Sequence, residues 1–272
     1  MPITILIRGG GDLASGVAVR LHRAGLHVII TELPQPLAVR RAVSFSETVY
    51  EGAWKVEEVA SRLASADQLQ VVLEAGEIPV LVDPNANVLG NAIVTNPQTT
   101  IVVDARLTKQ MPEPLPIQPL LHIGLGPGFT APTDCHAVIE TQRGHDLGRV
   151  IWNGSASAHS GQPEGDPRRV LRAPAGGVIT ARKQIGDHCE EGEVVAVIGE
   201  QHSVISPFRG VLRGIIHDGL NVAEGLKIGD VDARNRREYC FTVSDKALAI
   251  GGSVMEVLLA SPEIRNKLWD CL

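Results

Sequence analysis

The first apolar run, Ile3 to Ile7, is short, β-branched and uninterrupted, the pattern of a strand covered on both faces. From residue 12 the period changes. Leu13, Val17, Leu21 and Ala24 recur at helical spacing, which predicts a helix closed by Gly25 as its C-cap. Val28 to Ile30 then predicts a second strand, ending at Glu32. Val56, Val59, Ala60 and Leu63 share one face at helical spacing and predict a helix over 56–64. Leu69–Leu73, Val80–Val82 and Ile101–Val103 are short β-rich runs suited to buried parallel strands. Pro112, Pro114, Pro116 and Pro119 exclude helix and central strand, so this stretch marks a boundary or a crossover before a further strand, Leu120–Ile123. Near the C-terminus, Cys240 to Val243 reads as a strand, and Ser244 as the N-cap of a final helix.

The C-terminal third repeats itself. Pro174 matches Pro207, Gly177-Val178 matches Gly210-Val211, Gly186 matches Gly219 and Gly192 matches Gly225, all at one constant spacing. Glycines recurring between short β-runs mark repeated tight turns, so each half reads as one small β unit. Two such halves would close into a barrel-sandwich hybrid like the lipoyl and biotinyl domains. The hairpin between them, Gly199-Glu200-Gln201-His202-Ser203, has no lysine, so neither biotin nor lipoate can be attached there.

Together these elements predict an α/β protein. A Rossmann-like nucleotide-binding domain with a parallel sheet spans 1–117, and a glycine-rich segment over 118–167 completes its ligand cleft. The barrel-sandwich hybrid module takes 168–234, and a strand and helical tail takes 235–272.

The chemistry concentrates behind the first strand. Gly9, Gly10, Gly11, Asp12, Ala14 and Gly16 stand between strand and helix, and Gly9, Gly11 and Ala14 fit the spacing G-x-G-x-x-[GA]. In that setting backbone N–H groups at a helix start face outward and a pyrophosphate can come close. Glu32 follows about 20 residues on, where an acidic side chain grips a ribose hydroxyl. The alternative is a tight structural turn that binds nothing. Asp12 would repel phosphates unless it caps the helix or shares a cation with the ligand. Arg40 and Arg41 supply positive charge, either to phosphate or to solvent. Asp104 and Arg106 follow a strand at the end where parallel sheets bind ligands.

Composition narrows the partners. The chain has 272 residues, 44% hydrophobic but only 3% aromatic, so aliphatic side chains must build its core. Its net charge of −6 argues against nucleic acid and anionic membrane. No apolar run approaches the length of a membrane span, and Met1-Pro2-Ile3-Thr4 reads as strand rather than as a signal peptide, so the expected location is the cytoplasm. Cys135, Cys189, Cys240 and Cys271 lie far apart and read as reduced thiols.

A second polar region surrounds the turn Gly124, Gly126 and Gly128, which either approaches a ligand or merely ends a strand. Beyond it, His136, Glu140, Arg143 and His145 invite metal, anion-contact or structural readings. Ala137 to Ile139 reads as a strand, which spaces positions 136 and 140 too widely to chelate one ion directly, and Arg143 favours an anion, so no metal is assigned. The loop from Gly154 to Asp166 is too long for a bare connection and reads as functional or disordered.

Several stretches in one order resemble a known family over nearly the whole chain. They include Ile7 to Gly16, Val82-Asp83-Pro84, Val103 to Arg106, Ile123 to Phe129, Ile139 to His145, Gly229 to Arg234 and Cys240 to Ala247. The family is that of the selenium-dependent molybdenum hydroxylase system accessory proteins of the YqeB type, similar in its glycine-rich segments to xanthine dehydrogenase maturation factors. The resemblance implies a maturation helper for a molybdenum hydroxylase client, with no catalytic residue to carry over. Its expected ligand is dinucleotide-like, a molybdopterin dinucleotide or NAD. Two other functions remain open at this point: an NAD-dependent oxidoreductase, and a non-enzymatic scaffold docking its client through the barrel module. A homo-oligomer is compatible with each.

Overall fold

The computed structural model describes residues 3–91, 96–158 and 165–269. Cys271 and the middle of the 154–166 loop lie outside them.

The N-terminal part runs β1 (Thr4–Arg8), α1 (Asp12–Arg23), β2 (His27–Glu32), α2 (Thr48–Glu51), β3 (Ala53–Val56), β4 (Val59–Leu63), α3 (Leu69–Glu74), β5 (Ile78–Val82) and β6 (Thr100–Asp104). It continues through β7 (Leu121–Leu125), β8 (Thr130–Ala131), β9 (Ala137–Ile139), β10 (Val150–Ile151) and β11 (Gly154–Ser155). Nine of these strands form one sheet in the order β10-β9-β7-β6-β1-β2-β5-β4-β3, and β8 and β11 pair separately.

This sheet corrects the expected Rossmann-like parallel domain. It is mixed: β3 runs antiparallel to β4 at one edge and β10 antiparallel to β9 at the other. Three strands, β7, β9 and β10, come from the glycine-rich segment that was expected only to complete a cleft. The proline stretch is a crossover inside the sheet, joining parallel neighbours β6 and β7 without a helix.

Two local readings also change. Residues 56–64 hold the turn and second strand of the β3–β4 hairpin rather than a helix, the chain turning at Glu57, whose φ is +53°. Val56 and Val59 are both buried there, and a helical or a hairpin pairing explains their spacing equally well. Leu69–Leu73 is helical, in α3, because a capping box at Ser65 and Gln68 starts a turn just ahead of it.

Alternation along the central strands supplies two cores. Ile5, Ile7 and Ile30 face α1 and the C-terminal helix α4 (Asp245–Ala260), through Val17, Leu21, Ile250 and Val254. Leu6, Ile29 and Val102 face the other way, onto Leu69, Leu81 and Leu89. Each such aliphatic side chain contributes about 1.5–3 kcal/mol by leaving water. The tail therefore completes a layer of the α/β body. Its helix α4 crosses α1 so closely that a Cβ on Gly16 would lie 2.5 Å from the Ala247 Cβ. Ser244 caps α4 by accepting the Ala247 N–H, whereas Cys240 to Val243 is turn and loop rather than strand. A last helix, α5 (Pro262–Trp269), follows. Among the described residues no single helix is long and apolar enough to cross a membrane.

The repeat region holds β12 (Val170–Arg172), β13 (Gly177–Ala181), β14 (His188–Cys189), β15 (Val194–Ile198), β16 (His202–Ile205), β17 (Gly210–Ile215), β18 (Asn221–Val222) and β19 (Lys227–Asp232). They make two antiparallel sheets, β12-β19-β17-β14 and β16-β15-β13-β18. The lipoyl-like module built from one β unit per repeat is thereby corrected. The halves interleave: β13 of the first pairs with β18 of the second, and β14 with β17. Equal spacing of glycine turns shows that the halves are alike, and carries no information about which strands pair. This β region packs on the α/β body through Val39 and Tyr50 and through the backbone approach of Gly214 to Val39.

Candidate functional site

The turn after β1 enters the helix through three differently employed glycines. Gly9 has φ +92°, a left-handed conformation that favours glycine, and its N–H donates to the Thr31 carbonyl at 2.7 Å. Gly10 lies against the Ser46 backbone, where a Cβ would come within 2.8 Å of nitrogen. Gly11 is the N-cap of α1, and a Cβ there would meet nothing within 4 Å. That open side faces a cleft of ≈ 470 Å³.

The cleft sits at the carboxyl ends of β1, β2, β5 and β6, where open parallel sheets bind ligands. Gly9, Gly11, Asp12 and Ala14 line one side, and Thr31 and Glu32 the end of β2. Leu33, Pro36 and Leu37 form an apolar lip, with Leu33 and Leu37 both substantially exposed. Pro84 and Asn85 follow β5, while Arg106, Thr108 and Glu113 follow β6.

Glu32 is the most constrained of these. Its carboxylate accepts the Gly10 N–H at 2.6 Å and the Leu33 N–H at 2.7 Å, one donor on each oxygen. Burial pushes its pKa up, and the two backbone N–H groups oppose that rise. Each oxygen keeps a further lone pair. A rigid acceptor pair of this kind at the end of β2 suits a vicinal diol. The same bond occupies the Gly10 amide, so phosphate contacts fall to the first turn of α1.

Asp12 neither caps the helix nor stands free. It is the first residue of α1, and both its oxygens accept from Arg40 Nη1, at 2.9 and 3.1 Å. Arg40 is 7% exposed and also donates to the carbonyls of Tyr239 and Thr242. It thus cancels the charge of Asp12 and ties α1 to the C-terminal segment. Arg41 bonds Glu47 at 2.7 Å and the Ile215 carbonyl at 3.1 Å. Neither arginine lines the cleft.

Positive charge reaches the cleft from elsewhere. Asp104, fully buried, is gripped by Arg106 through Nε and Nη2, at 3.0 and 2.7 Å, and by Arg8 at 3.3 Å. Arg106 also lies 3.6 Å from Glu113, so two guanidinium groups meet two carboxylates beside the cleft. Arg8 also donates to the Pro84 carbonyl, joining the ends of β1, β5 and β6. The reading from sequence missed Arg8 and residues 84–85. Applying the strand-end rule to Val80–Val82, as it was applied to Asp104, would have found the second pair.

The other candidates lie outside this lining. Gly16 faces α4. Gly124 packs under Phe129, Gly126 against Thr141 and Gly128 against the Gln110 carbonyl. Glu140 is buried, yet the N–H groups of Gln142 and Ser157 outweigh the burial and hold its pKa low. Arg143 forms a bidentate pair with Asp245 at 2.5 and 2.8 Å, and His145 is exposed. His136 Nδ1 accepts the His122 N–H at 2.9 Å. Among the described residues, His136, Glu140 and His145 do not bring ligand atoms together. Cys135, Cys189 and Cys240 are free and buried.

Comparison with known proteins adds a relative. Over 260 residues, 94% of this chain, the sequence is 45% identical to the Escherichia coli K12 protein named "Uncharacterized protein YqeB". The chain is related to YqeB. It spans about half, 47%, of that relative's length. No family model matches the chain. Two solved structures align over 85% of it: an aspartoacylase family protein of Mesorhizobium loti, with 84% of that chain covered, and the ectoine utilization protein EutE (DoeB) of Ruegeria pomeroyi, with 52% covered. Their identities are 10% and 9% and their TM-scores 0.26 and 0.23, too low to establish a shared fold or activity.

Proposed function

We propose that this YqeB-related chain binds a ribonucleotide-bearing, dinucleotide-like ligand in the cleft, as an accessory protein in the maturation of a molybdenum hydroxylase. The observation that carries the ligand class is Glu32, pinned at the end of β2 with both oxygens oriented by backbone N–H groups. Ribose hydroxyls donate to it, a flat base rests on Leu33, Pro36 and Leu37, and phosphates approach the first turn of α1 past Gly11. The guanidinium groups of Arg8 and Arg106 lie beside that path, held by Asp104 and, for Arg106, also by Glu113. The maturation role rests on the sequence resemblance, and its ligand in that role is a molybdopterin dinucleotide handed to a client enzyme.

The test is native mass spectrometry of the purified protein, followed by calorimetric titration with NAD, CDP and GDP, on wild type and Gly11→Asp. Aspartate is a favourable N-cap, so the variant keeps its fold while placing a carboxylate in the cleft. A retained or titratable nucleotide in the wild type, lost at least tenfold in the variant, is the expected result. Unchanged affinity in the variant would remove the site assignment, and a wild type that ignores every nucleotide would remove the ligand class.

A further inference from the structure

We propose that Glu47, Glu51 and His217 bind one divalent cation of zinc type at the seam between the α/β body and the β region. One ligand atom from each lies within 4.8 Å of the others. Glu47 and Glu51 come from the turn and helix ahead of β3, and His217 from the loop after β17, so the group joins the two parts of the molecule.

The imidazole is prepared for a metal. Its Nδ1 lies 2.9 Å from the Asp218 carbonyl, which can only accept, so Nδ1 carries the hydrogen. Tyr50 stacks on the ring at 4.0 Å between centroids and 19° between planes. Nε2 is thereby turned toward Glu51, whose Oε1 lies 3.7 Å away, beyond hydrogen-bond distance. That leaves room between Nε2 and the carboxylate for a cation bound by both. A backbone carbonyl orienting the distal N–H is how metal-binding histidines are generally held.

Charge agrees. Arg41 offsets one of the two carboxylates, bonding Glu47 Oε1 at 2.7 Å, and the cluster keeps one net negative charge. Glu47 is buried, while Glu51 is exposed and can rotate to bring its oxygen to bonding distance. One imidazole and two carboxylates form a borderline-hard donor set that suits Zn²⁺ or Co²⁺.

The experiment strips the full chain with chelator and titrates it with Zn²⁺ by calorimetry and with Co²⁺ by visible absorption. His217→Ala and Glu51→Gln are compared with wild type, and exposed His202→Ala serves as control. The expected result is one ion per chain, a ligand-field band with Co²⁺, and at least tenfold weaker binding in the two variants alone. Zn²⁺ should also raise the melting temperature of wild type and His202→Ala but not of the two variants, which separates lost binding from lost folding. Absence of stoichiometric uptake, or uptake equal in all four proteins, would overturn the site.

Discussion

Two glycine turns follow parallel strands in this chain, and the structure employs them oppositely. Behind β1, Gly11 presents its bare Cα to a cleft. Near the end of β7, Gly124 would place a Cβ 2.3 Å from Phe129 Cγ, and in the turn behind the strand the Gly128 Cβ would meet the Gln110 carbonyl at 2.5 Å. At Gly11 the first turn lacks a side chain where a ligand can enter, whereas Gly10, like Gly124 and Gly128, lacks one because the protein itself fills the space. A glycine motif therefore reports only that something comes close. What that something is depends on the neighbours.

The sharpest way to break this contrast is Gly124→Ala. The added methyl group overlaps a ring that is itself buried, so the variant should lose about 3 kcal/mol, at the upper end for overpacking. Urea denaturation measures it, and a loss below about 1 kcal/mol would show that Phe129 can turn aside. Gly16→Ala tests the same principle at the α1–α4 crossing, where the obstacle is Ala247 backbone and cannot rotate away.

Next in size is Arg40→Met. It strands Asp12 and removes donors from two carbonyls of the 239–242 segment, and should cost about 2 kcal/mol, less than a fully buried pair because Asp12 is partly solvated. Restoring most of that stability with Asp12→Asn in the same background would identify the stranded carboxylate as the cause. No recovery would place the cost in the lost carbonyl bonds.

Glu32 allows a pH test. Burial raises its pKa in the folded protein, so folding favours the protonated acid. Its contribution is most favourable below the ordinary carboxylate value of about 4.5 and declines as pH rises from there through the folded-state value. Above that value it stays constant. Stability profiles of wild type and Glu32→Gln should differ in slope across that window and run parallel above it. Parallel profiles throughout would mean that the carboxylate is as well solvated folded as unfolded.

Much of the cleft was legible because its signals are local. A β-branched run, three glycines, a helical period and an acid after the next strand lie within Ile3 to Glu32. What escaped depends on distant partners. Arg40 pairs with Asp12 as readily from sequence as it pairs with phosphate, until Tyr239 and Thr242 are seen to hold its other end. The same holds for the sheet. β7, β9 and β10 are short runs beside a second glycine turn, and only pairing with β6 and with one another places them in the first domain's sheet. Helix α4 covers that sheet from the far end of the sequence, so a tail and a core layer look alike in its periodicity.

The smallest expected effect on stability closes the comparison, and it falls on the residue with the largest expected effect on ligand. Gly11 has φ −70° and ψ −173°, a conformation open to any residue, and space beyond its Cα. Aspartate there accepts an N–H from the first turn of α1 and places negative charge at the positive end of the helix, two favourable terms. Repulsion from neighbouring Asp12 is muted because Arg40 already holds that carboxylate. Gly11→Asp should therefore unfold within about 0.5 kcal/mol of wild type. A loss of several kcal/mol would mean that the turn behind β1 is filled from within, as the turn behind β7 is. Near-equality with wild type, set beside the loss of about 3 kcal/mol expected for Gly124→Ala, would show that one of two similar motifs is kept open for something other than folding.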